Sequence, residues 1–106
     1  MSAAKATRPT RLSDDAITTV LSDLPGWKLA DGKLHREYEF ADFVTAFGFM
    51  TSAALVAQGM DHHPEWFNVW NKVRVDLATH DANGVTELDV KLARAMEALA
   101  APQKKR

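Results

Sequence analysis

The stretch that decides the fold is EWFNVWNKVRVDLATH, residues 65–80. It predicts two strands, Trp66–Trp70 and Val73–Thr79, that turn near Asn71. In the second strand apolar and polar residues alternate, which is typical of a strand with one buried face. The stretch therefore predicts an antiparallel hairpin that packs one face on a core.

A helix and another hairpin are predicted closer to the N-terminus. Ser13 is a suitable N-cap for a first helix, which Pro25-Gly26 ends. Asp31-Gly32 is a strong turn signal between two alternating segments, Trp27–Leu29 and Leu34–Phe40. This first hairpin also carries Arg36 and His35, which we expect at an edge and at the surface, respectively.

The segment between the two hairpins predicts an unusually apolar helix. Asp42 caps it, it runs to about Gly59, and no charged residue occurs from Phe43 to Met60. A helix that is apolar nearly all round does not stay exposed on a small monomer. We therefore expect a homo-oligomer, most simply two-fold symmetric, in which helix 42–59 packs against another subunit.

A last helix begins at Thr86, with an apolar stripe along one face. The order is thus helix, hairpin, helix, hairpin, helix. This order predicts an α+β domain, with a four-stranded antiparallel sheet and three helices packed on one face.

Length and composition fit a single globular domain. The chain has 106 residues, of which 46% are hydrophobic and 25% charged. We expect a flexible arm at residues 1–11, one domain at 12–101 and a basic tail at 102–106.

The charge and cysteine content exclude several classes of function. A net charge of -1 argues against non-specific nucleic-acid binding, and the absence of cysteine excludes disulfides and thiolate metal sites. The N-terminus lacks the apolar stretch of a secretory signal, and no run approaches the apolar length that spans a bilayer. A cytoplasmic protein that binds neither nucleic acid nor membrane is expected.

Three of the four histidines, His62, His63 and His80, surround the second hairpin. Imidazole exchanges protons near neutral pH, which suits it to acid–base catalysis. The start of the first strand of an antiparallel hairpin lies beside the end of the second, so these histidines should come close. Loop histidines with structural hydrogen bonds are the alternative reading. A metal site is less well supported, because no His-x-x-x-His pair occurs.

Asp89 also has two readings. Thr86-Glu87-Leu88-Asp89 has capping-box spacing, so Asp89 can simply secure the start of the last helix. Its carboxylate can instead orient a nearby histidine and stabilise the imidazolium form. The spacing by itself favours the cap.

The segment from Asp61 to Val73, followed by Thr79-His80 and Asp89, resembles the signature of the pterin-4a-carbinolamine dehydratase family. The likeness extends to Asp42-Phe43 and to residues 46–51, so it covers nearly the whole chain beyond the N-terminal arm. The mammalian member of this family doubles as a dimerization cofactor for a homeodomain transcription factor.

The resemblance implies a small α+β enzyme that dehydrates 4a-hydroxytetrahydropterin to quinonoid dihydropterin. This reaction regenerates the tetrahydropterin after aromatic amino acid hydroxylation. The family uses no metal and no further cofactor, and it forms a dimer of dimers in which the second helix packs against its symmetry mates.

The resemblance also implies roles for individual residues. His62 and His80 would be the acid–base pair flanking the reacting carbon, His63 would hold the pterin, and Asp89 would support the histidines. The expected substrate contacts are Asp61, His62, His63, Trp66, Ala78, Thr79, His80 and Asp81.

One position departs from the family pattern. Four residues before His62 the family usually has an acidic residue, and this chain has Gln58. A carboxylate there would favour a protonated histidine nearby, whereas an amide can only hydrogen-bond. The departure predicts that activity survives with a lower pH optimum.

Three other functions stay open at this point. The first is a non-enzymatic interaction module that uses the same fold to stabilise a partner's dimer. The second is a histidine metalloprotein. The third is a family member that serves another pterin pathway, such as molybdopterin metabolism.

Overall fold

A computed structural model describes residues 9–102 of the chain. The predicted arm at residues 1–11 and the predicted basic tail at 102–106 lie mostly outside this range.

The domain is α+β, with three α-helices and a four-stranded antiparallel sheet, as predicted. A short 3-10 turn spans His80–Ala82. The elements in chain order are α1 (Asp14–Ser22), β1 (Trp27–Ala30), β2 (Lys33–Glu39), α2 (Phe43–Met60), β3 (Glu65–Val69), β4 (Lys72–Leu77) and α3 (Glu87–Ala100).

Local signals fix the start of each helix. Ser13 Oγ accepts a hydrogen bond from the Ala16 N–H at 3.1 Å, and Asp42 Oδ1 accepts one from the Thr45 N–H at 2.8 Å. Thr86 caps α3 through the Leu88 N–H at 3.2 Å. All three predicted N-caps are confirmed, because capping depends only on neighbours within one turn.

The strand order is β1-β2-β4-β3. Each hairpin pairs its own strands, and an antiparallel β2·β4 ladder joins the two hairpins. The strands β2 and β4 are therefore central, and β1 and β3 lie at the edges.

The placement of Arg36 at an edge was wrong. Arg36 lies on central strand β2, where its guanidinium stacks 4.2 Å above the Tyr38 ring. Its Nε donates to Glu97 Oε2 at 3.1 Å. The charged guanidinium can lie on the inner face of the sheet because the carboxylate of Glu97 pairs with it there.

Glu97 anchors α3 to the first hairpin. Besides Arg36, its Oε2 accepts hydrogen bonds from Trp27 Nε1 at 2.9 Å and Tyr38 Oη at 2.5 Å. Burial by itself would raise the pKa of Glu97, but the hydrogen bonds from Tyr38, Trp27 and Arg36 hold it below the ordinary value. Glu97 is therefore ionised at neutral pH, and it joins three elements at one carboxylate.

His35 lies on the outer face of the sheet, where it is less accessible than a surface histidine. Its Nδ1 is 2.8 Å from Asp76 Oδ1 and its Nε2 is 2.9 Å from Glu37 Oε2, and its side chain is only 13% exposed. The hydrogen bond with Asp76, supported by that with Glu37, raises the pKa of His35. The expectation of a simple surface residue is thus corrected to a cross-strand ionic bridge.

The core lies between the inner face of the sheet and the helices. Strands β2 and β4 bury alternate residues, and the helices bury small residues with a few large ones. The fully or nearly fully buried side chains of the strands, α2 and α3 include Leu34, Tyr38, Val73, Val75, Leu77, Ala46, Phe49, Ala53, Ala57, Leu92 and Met96.

Helix α2 leaves large apolar side chains uncovered. Val44 is 78% exposed, Leu55 72%, Phe47 51% and Phe43 48%. By length and composition this helix would also pass as a membrane span, with a mean hydropathy of 1.4, so the expectation that no run approaches such a length was wrong. Mostly buried core helices pass the same test, but only 22% of this segment is buried, with Phe49 packed into the core of the domain.

Candidate active site

The end of α2 sets the directions of the first two histidines. Asp61 is the C-cap in the left-handed region, with φ of 52°, and its N–H donates to the Gln58 carbonyl at 3.1 Å. The His62 N–H then donates to the Ala57 carbonyl at 3.0 Å. This reversal leaves the His62 side chain only 10% exposed, while His63 is exposed.

His62 contacts the buried carboxylate of Asp89. Its Nε2 lies 2.6 Å from Asp89 Oδ1, and the Asp89 side chain is fully buried. Asp89 Oδ2 accepts from Thr79 Oγ1 and from the Thr86 N–H, each at 2.9 Å. Asp89 therefore both completes the capping box of α3 and binds a histidine, so the two readings of Asp89 are compatible.

This contact fixes which nitrogen of His62 carries a proton. An ionised carboxylate can only accept hydrogen bonds, so Nε2–H donates to Asp89 Oδ1. The other ring nitrogen, Nδ1, is then the one through which His62 can exchange a proton with another molecule.

Thr79 connects Asp89 to the end of β4. Its hydroxyl lies 2.7 Å from Thr86 Oγ1, and its N–H donates to the Gly84 carbonyl at 2.8 Å. The pairing of Thr79 with Gly84 ends the extended segment, and the 3-10 turn from His80 follows. Ala78 is partly buried and Asp81 is exposed, so the predicted contact segment is accessible on either side of buried Thr79.

His63 and Gln58 form a separate pair. His63 Nε2 lies 2.9 Å from Gln58 Oε1, so Nε2–H donates to the amide oxygen. The residue that departs from the family pattern therefore contacts His63.

His80 is 82% exposed, and its Nε2 lies 3.4 Å from Glu65 Oε2. Glu65 Oε1 in turn accepts a hydrogen bond from Lys33 Nζ at 2.6 Å. The sequence by itself indicates no role for Lys33 or Glu65. Glu65 occurs within the family-like segment, but nothing near Lys33 indicates that it reaches across the sheet.

The three histidines were expected to lie close together, but in the structure they are connected only indirectly. His62, Asp89 and Thr79 share one hydrogen-bonded group, and Thr79 directly precedes His80 in the chain. His63 and His80 each have a partner outside that group. Trp66 lies opposite Val75 on the inner face and is partly buried against the core.

A cavity of about 200 Å³ lies beside His80, and its walls include Lys33, Ala78, Thr79 and Asn83. Another cavity, of about 250 Å³, lies around Phe67 and Arg74 and has no histidine in its wall. Proton-transfer chemistry favours the first cavity as part of the candidate site, because it joins an imidazole to accessible backbone at the end of β4. Of the predicted site residues, only Ala78, Thr79 and His80 line this cavity; His62, His63 and Asp89 lie outside its wall.

The described part of the chain has no cluster of three or more His, Asp or Glu side chains that could hold a metal ion. The Nε2 atoms of His62 and His63 are hydrogen-bonded to a carboxylate and an amide, and His80 Nε2 lies 3.4 Å from a carboxylate.

The chain is similar to known proteins over nearly its whole length. The family model described as pterin 4 alpha carbinolamine dehydratase matches residues 10–99. A protein of Solibacter usitatus named as a pterin-4-alpha-carbinolamine dehydratase is 56% identical over 92 residues, which cover 87% of this chain and 97% of that protein. A protein of Brucella ovis with the same name is 54% identical over 92 residues, covering 85% of this chain and 95% of its own length.

A solved structure is also similar. The crystal structure of a transcriptional coactivator/pterin dehydratase from Brucella melitensis superposes with a TM-score of 0.83 at 54% identity. The match covers 86% of this chain and 99% of that one.

Proposed function

Because the chain belongs to the pterin 4 alpha carbinolamine dehydratase family, we propose that it is a hydro-lyase that dehydrates 4a-hydroxytetrahydropterin to quinonoid dihydropterin. In this proposal the reaction proceeds by histidine acid–base catalysis and regenerates a tetrahydropterin.

The observation that carries the proposal is the buried contact of His62 with Asp89. A carboxylate that is fully buried and 2.6 Å from an imidazole stabilises positive charge on that ring. The same carboxylate is held by Thr79 and Thr86, so its position is fixed before substrate binds. A histidine in this setting is suited to take up a proton during turnover.

The proposed reaction needs two proton transfers. The C4a–O bond breaks, the hydroxyl group leaves as water after it receives a proton, and N5 loses its proton as the C4a=N5 bond forms. His62 accepts the N5 proton through Nδ1, since Asp89 stabilises the resulting imidazolium. His80 supplies the proton to the leaving hydroxyl, and solvent then restores both histidines.

The remaining residues serve binding in this proposal. His63 holds the pterin from the exposed side, and Trp66 shapes the inner wall of the site. Backbone groups of Asp61 and of residues 78–81 meet the polar edge of the heterocycle, which displays several donors and acceptors.

The direct test is dehydration of 4a-hydroxytetrahydropterin generated in the assay by an aromatic amino acid hydroxylase. Turnover well above the spontaneous rate is expected. Wild-type protein that leaves the spontaneous rate unchanged would reject the proposed function.

The contact of Gln58 with His63 leads to a prediction for the Gln58→Glu variant. A carboxylate 2.9 Å from the imidazole favours the protonated ring, so the pH–rate profile should move to higher pH by about one unit. The profile is measured from pH 5 to 9, with Gln58→Ala as the control for lost contact. Identical profiles for wild type and Gln58→Glu would contradict this account of the departure from the family pattern.

We further propose that the protein is a homo-oligomer assembled through α2. The helix has no charged residue, and four of its large apolar side chains are about half to three-quarters exposed: Phe43, Val44, Phe47 and Leu55. An apolar surface of this kind is stabilised when a second copy covers it.

The matched variants Phe47→Glu and Phe67→Glu test this assembly. Both phenylalanines are 51% exposed, but Phe47 lies on α2 and Phe67 on the outer face of β3. Sedimentation velocity at micromolar concentration should show a smaller species for Phe47→Glu and an unchanged oligomer for Phe67→Glu. A wild-type protein that is monomeric at this concentration would contradict the proposal.

A second candidate function is an interaction module that acts without turnover. The exposed face of α2 favours it, and the solved Brucella melitensis protein is described as a transcriptional coactivator as well as a pterin dehydratase. A scaffold has no need of a buried His62–Asp89 pair, so the dehydration assay separates the two functions. Assays with pterins that carry different side chains would show whether the protein serves another pterin pathway.

A further inference from the structure

Three polar side chains meet at one end of the outer face of the sheet. Lys33 is the first residue of β2, Glu65 is the first residue of β3, and His80 lies just beyond β4. Because β4 lies between β2 and β3, the side chain of Lys33 must cross β4 to reach Glu65. The three residues are thus brought together only by the strand order.

The two oxygens of Glu65 have different partners. Oε1 accepts from Lys33 Nζ at 2.6 Å, and Oε2 lies 3.4 Å from His80 Nε2. As a surface ion pair, with side chains 35% and 42% exposed, Lys33–Glu65 contributes little to the stability of the fold. It does hold Glu65 in an orientation in which Oε2 lies 3.4 Å from His80 Nε2.

Lys33 and His80 also line the same cavity of about 200 Å³, together with Ala78 and Thr79. Glu65 is absent from the lining of that cavity, and its side chain contacts Lys33 and His80, which do line it.

The pairing resembles the one at His62 but is looser, because His62 is hydrogen-bonded to its carboxylate whereas His80 lies only within ion-pair range of its own. In both histidines Nε2 faces a carboxylate, that of Asp89 at 2.6 Å and that of Glu65 at 3.4 Å. A carboxylate that accepts from Nε2–H selects one tautomer and leaves Nδ1 free. Both proposed working histidines would then exchange protons with the substrate through Nδ1: His62 takes a proton up there, and protonated His80 gives one up there and becomes the Nε2–H tautomer.

We propose that Glu65, held in place by Lys33, is a positioning residue that orients His80 and selects its Nε2–H tautomer. The inference rests on the proposed function, in which His80 supplies a proton to the leaving hydroxyl. Asp89 does the equivalent for His62 from inside the domain, and Glu65 does it from the outer face of the sheet.

Steady-state kinetics of Glu65 variants test the role. Glu65→Ala should lower kcat about tenfold with little change in KM, because the ring is still present but is no longer oriented. Glu65→Gln, whose amide oxygen still accepts from Nε2–H, should recover most of kcat. Lys33→Met should give a smaller decrease than Glu65→Ala, since it only releases Glu65.

A double-mutant cycle distinguishes positioning from a general structural role. In a His80→Ala background, Glu65→Ala should cause no further loss of activity, because the residue acts only through His80. An equal loss in both backgrounds would overturn the proposal.

Nitrogen NMR of ring-labelled histidine gives a readout that does not need turnover. The His80 ring should be almost wholly the Nε2–H tautomer in wild type and in Glu65→Gln, and in Glu65→Ala it should relax to the smaller Nε2–H excess of a free histidine. An unchanged tautomer ratio in Glu65→Ala would overturn the proposal even if the dehydratase assay succeeds. Failure of the wild type in that assay would reject the proposed function, and the tautomer ratio would still decide the role of Glu65.

Discussion

Purified His62→Gln protein is expected to dehydrate 4a-hydroxytetrahydropterin about a hundredfold more slowly than wild type, or slower still, while it stays folded. A glutamine side chain keeps an N–H donor toward Asp89 Oδ1, so the buried carboxylate retains a partner. An amide cannot exchange a proton near neutral pH, so the variant should lose the chemistry and keep the packing.

The control variants separate folding from chemistry. His62→Ala removes both the N–H donor and the ionisable ring. We expect it to lose stability as well as activity, because the buried Asp89 carboxylate then lacks its imidazole. His80→Ala changes a side chain that is 82% exposed, so it should keep the melting temperature of the wild type and still lose most turnover. Nearly normal rates in both His62→Gln and His80→Ala would reject the proposed acid–base pair.

Replacing Asp89 with alanine is expected to reduce the free energy of unfolding by about 3 kcal/mol. The substitution leaves three buried donors without an acceptor, on His62, Thr79 and the backbone of Thr86. It also removes half of the capping box that starts α3. Denaturant unfolding, monitored by circular dichroism, measures the loss.

The Asp89→Asn variant distinguishes the cap from the support of His62. One amide oxygen can still accept from Thr86, so the loss of stability should fall to about 1 kcal/mol. An amide NH₂ facing the ring would favour the opposite tautomer of His62, and kcat should fall about a hundredfold. Glu87→Ala, an exposed acidic residue in the same helical turn, serves as the control for charge near the helix start. Full activity of Asp89→Asn would show that Asp89 is only a cap.

Local sequence signals predicted much of this fold. Each helix start was predicted from one side chain, since Ser13, Asp42 and Thr86 satisfy N–H groups within the next turn. The alternation of Val73, Val75 and Leu77 placed one face of β4 in the core. Signals of this kind act over a few residues and do not depend on the rest of the chain.

Predictions that depend on distant partners were less complete. Arg36 was placed at an edge because nothing in the sequence indicates that β2 pairs with β4 as well as with β1. His35 was assigned to the surface because Asp76, its partner, is 41 residues away. Hairpin signals give the neighbour within a hairpin but not the order in which two hairpins join.

The candidate site divides in the same way between what the sequence indicates and what depends on distant partners. The sequence, through its resemblance to the family, indicated the residues of the proposed chemistry: the histidines at 62, 63 and 80, and the acid at 89. Only the tertiary structure decided which groups they meet. It placed His62 on a buried carboxylate 27 residues away, directed Gln58 to His63, and brought Lys33 across a strand to Glu65 beside His80. The physical reason is that the reactivity of a side chain is intrinsic, whereas its burial, tautomer and partners depend on which strands and helices pack side by side.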